Sequence, residues 1–132
     1  MGQPYFLSLE QVLRLQANLI EVYGGTAGIR DLGLVQSALA MAQAFFGGQV
    51  MHPTLFDQAA AYLYHLVQNH PFVDGNKRIG AASALVFLAM NDTQITGDED
   101  GLVALTLSVA CGETGKTEIA TWFRDHVDAG RG

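Results

Sequence analysis

His70-Pro71-Phe72-Val73-Asp74-Gly75-Asn76-Lys77-Arg78 is the stretch that decides how this chain is read. Nine residues gather one imidazole, one carboxylate, a Gly-Asn pair and two cations. Apolar stretches with helical spacing lie on both sides. Pro71 disfavours helix in the residue before it, so the upstream helix stops near His70 and presents that residue at its end. The downstream helix begins at about Asn76. A helix start offers unpaired N–H groups and the positive end of the dipole, which suit a phosphate. Gly75 lets backbone approach an anion without a Cβ in the way. Arg78 can clamp two phosphate oxygens, and Lys77 adds a point charge. Asp74 is a hard oxygen ligand. Alone it does not hold Mg²⁺, but triphosphate oxygens and waters can complete the shell. Histidine exchanges protons nearest neutral pH, which makes His70 the natural general base. Phe72 is expected to plug the turn into the core.

Working outward, capping residues and glycine pairs divide the chain into helices. Ser8 with Gln11 reads as a capping box. After it, Leu9, Val12, Leu13, Leu19, Ile20 and Tyr23 keep a helical apolar rhythm that Gly24-Gly25 ends. Asp31 caps a second helix expected to reach about Phe46, closed by Gly47-Gly48. Pro53-Thr54 opens a third, with Leu55, Ala59, Tyr62, Leu63, Leu66 and Val67 along it. The fourth runs from about Asn76 to Met90. Ile79, Ala82, Ser83, Val86 and Met90 share one face, but Leu85, Phe87 and Leu88 make it apolar nearly all round, which predicts a buried central helix. Glu99 to Ala110 and Thr117 to Val127 read as two more. Residues 93–96 are expected to form a small extended excursion, and the tail 129–132 to fray. The fold class is therefore all-α: one domain over residues 1–132 with about six helices, its core between about residues 6 and 123.

The bulk numbers agree. A chain of 132 residues that is 49% hydrophobic and 15% charged is globular and holds one core. A net charge of -6 provides no broad basic field for nucleic acid, although it leaves room for a small basic pocket. A single cysteine, Cys111, excludes an internal disulfide and fits a reducing cytoplasm. No signal-peptide pattern and no uncharged run of membrane-spanning length are present.

The nine residues match the pattern His-Pro-Phe-x-(Asp/Glu)-Gly-Asn-(Gly/Lys)-Arg, and the chain resembles the Fic family. With Lys77 in the eighth slot it is similar to the Doc (death-on-curing) branch. The likeness extends over Tyr23-Gly24-Gly25, Gly28 to Asp31, Leu34 to Leu39, Ala59 to Leu66, Phe87 to Asn91 and Trp122. The resemblance implies an all-helical Fic fold and transfer of a phosphate-containing group from a nucleotide to a protein hydroxyl. Members with Gly in the eighth slot transfer AMP. Doc-like members carry Lys there, bind ATP in the reversed sense and act as kinases on a threonine of elongation factor Tu, arresting translation. Carried over, His70 is the base, Asp74 the Mg²⁺ contact, and Gly75, Asn76, Lys77 and Arg78 the phosphate site. A toxic activity of this kind implies a cognate Phd-type antitoxin. Two rivals stand beside this kinase: an AMP-transferring enzyme on the same fold, and a non-catalytic binding protein.

Other features carry blander readings. Thr96 to Gly101 approaches the family's inhibitory pattern, but Asp100 replaces its Glu, and an ordinary cap for the fifth helix accounts for it. Ala110-Cys111-Gly112-Glu113-Thr114-Gly115-Lys116-Thr117 imitates a phosphate-binding P-loop. Only fifteen residues follow Thr117, too few for the strands such a fold needs, so it reads as a link between helices. His52, His65 and His126 read as structural or surface residues, and Arg30-Asp31 as a loop ion pair or a cap.

Overall fold

A computed structural model describes residues 3–128; the tail expected to fray lies outside the described residues. The all-α expectation holds. The helices are α1 (Leu9–Tyr23), α2 (Leu32–Met41), α3 (Leu55–Asn69), α4 (Asn76–Met90), α5 (Glu99–Ala110) and α6 (Lys116–Asp125). Their starts follow local hydrogen-bond chemistry. Ser8 and Gln11 close a reciprocal capping box on α1, and Thr54 and Asp57 do the same on α3. The Asp31 carboxylate accepts the Leu34 N–H at the start of α2. Gly24, at φ 85°, ends α1.

Two expectations need correction. The second helix does not reach Phe46. It ends at Met41, and the chain then forms a hairpin, β1 (Phe45–Phe46) with β2 (Gln49–Val50). Gly47 and Gly48, at φ 59° and 81°, are its two turn residues rather than a helix stop. Consecutive positive φ values match the twist of a two-residue hairpin. The fourth helix is not buried all round either. Its inner face is Ile79, Gly80, Ser83, Ala84, Phe87 and Leu88, whereas Val86 faces solvent. Helices α1, α3 and α5 surround α4 but leave that strip open.

The core is built on the contact between α3 and α4. Tyr62, Leu63 and Leu66 of α3 meet Ile79, Phe87 and Leu88 of α4, and Phe123 and Ile119 of α6 complete the cluster. Gly80 sets the approach: a Cβ there would stand 2.8 Å from a Val67 methyl and 3.1 Å from the Leu63 carbonyl. The Tyr62 hydroxyl accepts the Leu7 N–H at 3.0 Å, and burial pushes that phenol up to about 12. The 93–96 excursion is extended: Ile95 bridges Val127, and Thr96 donates to the His126 carbonyl at 2.7 Å.

One polar cluster ties α6 to α3. The Lys116 ammonium lies 3.1 Å from His52 Nε2 and 3.0 Å from His65 Nε2. Burial, then the Lys116 charge, then His52 hold the His65 imidazole down at about 4. Burial lowers His52 and Lys116 as well. Because the folded value for His65 lies below the ordinary 6.5, the unfolded chain binds more protons in that window. The stabilisation is complete above pH 6.5 and is lost as pH falls towards 4. Screening at a half-buried ring reduces the effect to about 1–2 kcal/mol. Thermal melts at pH 7 and 4.5 should therefore show a loss of stability that His65→Gln makes shallower. Equal slopes for both proteins would contradict this.

Candidate active site

The site forms where α3 stops and α4 starts. His70 takes a left-handed conformation, φ 53° and ψ 50°, and turns the chain off the axis of α3. A non-glycine residue rarely adopts that shape. Residues 28–31 run alongside the turn and hold it. Pro71 O accepts the N–H groups of Arg30 (2.8 Å) and Asp31 (3.0 Å), and Val73 N–H donates to Gly28 O at 3.1 Å. The Arg30 guanidinium donates to His70 O at 2.7 Å and to Asn69 O at 2.9 Å. Asp31 thus caps α2 while Arg30 caps α3, in place of a local ion pair.

Phe72 is buried, as expected of a plug. Its backbone would leave two polar groups inside the protein, and the Asn76 side chain takes both. Asn76 Oδ1 accepts Phe72 N–H at 2.9 Å, and Asn76 Nδ2 donates to Phe72 O at 3.0 Å. The Asn76 side chain is therefore committed to the loop. Gly75, at φ 78°, is the N-cap of α4, and no side chain caps that helix. Its first-turn N–H groups are left for a ligand.

Asp74 is fixed from three directions. Its Oδ2 accepts Thr26 N–H at 3.1 Å, its Oδ1 accepts Gly75 N–H at 2.8 Å, and its carbonyl accepts Gln16 Nε2 at 2.7 Å. Gln16 is buried on α1. Gly25 makes room: at φ 110°, a Cβ there would stand 2.7 Å from Asp74 Oδ2. Each carboxylate oxygen keeps lone pairs beyond these bonds.

A cleft of about 500 Å³ opens over this loop. His70 and the run Asp74, Gly75, Asn76, Lys77 and Arg78 line one side, and Leu102, Val103, Thr106 and Leu107 of α5 line the other. His70, Asp74, Lys77 and Arg78 are all exposed to it. The Arg78 guanidinium rests 4.6 Å from the centre of the Tyr23 ring. Lys77 is the one described lysine or arginine whose side chain has no partner in the protein. Among the described residues no group of three or more His, Cys, Asp or Glu could hold a metal. A cation at Asp74 would need oxygens from a bound anion, and the exposed carboxylate beside an uncapped helix start fits that arrangement.

His70, Asp74, Gly75, Asn76, Lys77 and Arg78, the site residues expected from the sequence, all line this cleft, but the Asn76 side chain, expected at the phosphate, is bonded to Phe72 and is not open to one. The other candidates lie elsewhere. Lys116 of the P-loop-like stretch sits between His52 and His65, and Asp98 caps α5 through Gly101 N–H. Sequence reasoning missed Gln16, the second role of Gly25, the grip of Arg30 and the α5 wall. Gln16 had a signal: it interrupts an apolar helix stripe between Leu13 and Ile20.

Comparison with known proteins agrees with the geometry. The Fic/DOC family pattern matches residues 6–88, and the chain belongs to that family. It is similar to "Protein kinase doc" of Escherichia phage P1, 33% identical over 118 residues, which are 89% of this chain and 92% of that protein. It is also similar to "Toxin Doc" of Mycolicibacterium smegmatis, 45% identical over 78 residues. That match spans 59% of this chain and 60% of the relative. The resemblance to the Doc branch is thereby borne out.

Two substitutions test the construction of the loop. Asn76→Ala leaves the Phe72 N–H and C=O buried without partners and should cost about 2–4 kcal/mol. Gly25→Ala forces a positive φ on alanine and displaces the Asp74 carboxylate, at about 1–3 kcal/mol. Urea titrations measure both, and hydrogen exchange at the Thr26 amide should accelerate in Gly25→Ala.

Proposed function

We propose that this protein is a Doc-type toxin that transfers the terminal phosphate of ATP to a hydroxyl group of a translation protein. Lys77 carries the reading: an unpartnered cation at an uncapped helix start, in the same cleft as His70. A relative named for kinase activity, aligned over 89% of the chain, supports it. The hydroxyl oxygen of the target attacks the terminal phosphorus. Its proton passes to the His70 imidazole, the bond to the bridging oxygen breaks, and ADP leaves. The α4 N–H groups, Lys77 and Arg78 stabilise the charge that gathers on the phosphoryl oxygens. Asp74 would hold Mg²⁺ against the phosphates, and the ion would neutralise part of their charge. Positioning and electrostatics supply most of the rate, and the base roughly a factor of 10²–10⁴.

By resemblance, the acceptor is a threonine of elongation factor Tu, the place of action is the cytoplasm, and a Phd-type antitoxin restrains the enzyme. Among the described residues no helix is long and apolar enough to cross a membrane.

Incubation of the purified protein with a cell lysate and ATP labelled at the γ- or the α-phosphate decides the chemistry. Label should enter protein from the γ-position alone, and His70→Ala should reduce it at least about 100-fold. Label from the α-position alone would replace the kinase with AMP transfer. Growth arrest on expression should disappear with His70→Ala; equal arrest by both proteins would point to a non-catalytic binding protein.

A further inference from the structure

We propose that Arg30 is a positioning residue for His70, holding the base in the cleft through its backbone rather than through its ring. This inference rests on the reading of His70 as general base. The left-handed backbone at His70 is what takes the residue off the axis of α3 and into the lining of the cleft. Such a conformation persists only where neighbouring structure holds it. Arg30 supplies that hold with two donors of one planar group. Nε reaches His70 O at 2.7 Å, and a terminal nitrogen reaches Asn69 O at 2.9 Å. These are carbonyls that the end of α3 leaves without helical partners, at the negative end of its dipole. The backbone of the same residue adds a third point, Arg30 N–H to Pro71 O at 2.8 Å. Three successive carbonyls, of Asn69, His70 and Pro71, are thus held by one residue. Arg30 is absent from the cleft lining, so it acts through His70. A lysine cannot reproduce the fork, because one ammonium carries its charge at a single point.

The full-length wild type, Arg30→Lys and Arg30→Ala are compared in three measurements: γ-phosphate transfer from ATP, the His70 Hε1 resonance, and thermal unfolding. His126, stacked on Trp122 and bonded to its carbonyl, provides an internal reference. Arg30→Ala should lower kcat 10- to 100-fold with KM for ATP unchanged within twofold. The His70 resonance should shift while that of His126 stays in place. Arg30→Lys should recover only a minor part of kcat. The proposal is overturned if Arg30→Ala keeps kcat within twofold, or if its His70 resonance does not move. It is equally overturned if kcat and KM fail together in step with melting temperature in both variants, the behaviour of a stabilising cap alone. If the wild type transfers no label, the reading of His70 as base falls. The His70 resonance of the folded variants then decides separately whether Arg30 holds the residue.

Discussion

The pair of hydrogen bonds between the Asn76 amide and the two backbone groups of Phe72 is the constraint on which the rest of the site depends. A loop that drives an aromatic ring into a core must also bury the backbone that carries it. Buried N–H and C=O groups need partners. Here a side chain from the first turn of the next helix provides both. The chain can then leave α3, dip into the core and begin α4 within a few residues. Phe72 becomes a fixed pivot. His70 stands on one side of it, and Gly75 with the open end of α4 on the other.

Around that pivot the polar groups divide by direction. Those turned inward, Asn76 and Gln16, are buried and bond to the backbone of Phe72 and to the Asp74 carbonyl. Those turned outward, His70, Asp74, Lys77 and Arg78, are exposed to the cleft. Backbone strain follows the same division. Among the described residues only His70 and Asp92 are non-glycine positions with positive φ. Asp92 closes an ordinary turn after α4. At His70 a glycine would suit the backbone better, but it would remove the imidazole.

How much of this was legible in the sequence follows from the range of each interaction. Ser8, Asp31 and Thr54 announced their helices because a cap bonds three residues ahead. The nine-residue motif was legible because its chemistry-bearing residues are contiguous, and part of its loop is self-bonded through Asn76 and Phe72. The hairpin at 45–50 was not. A glycine pair signals positive φ, and both Gly24-Gly25 and Gly47-Gly48 have it; neither pair states whether a coil or a returning strand follows. Val86 was placed in the core because periodicity shows which residues share a face, not how many helices cover it. The grips of Gln16 and Arg30 cross 58 and 40 residues of sequence. Only the packing of α1 and of residues 28–31 against the motif brings them there.

The distribution of cations narrows what the cleft can attract. The chain has seven Lys and Arg against thirteen Asp and Glu. Of the described cations, Arg14 pairs with Glu10, Arg30 holds carbonyls, Lys116 lies between two imidazoles, and Arg124 covers the Phe56 ring. Lys77 and Arg78 remain, side by side at the positive end of α4, and Arg78 is the one that also touches an aromatic ring. An acidic surface repels an extended polyanion along most of its length, while a pair of cations at a helix start draws a compact one. Positive charge in the cleft is thus concentrated at one place, the start of α4, rather than spread along the surface. The apolar α5 wall opposite adds a second requirement, because it rewards a ligand with an uncharged body attached to that anionic end.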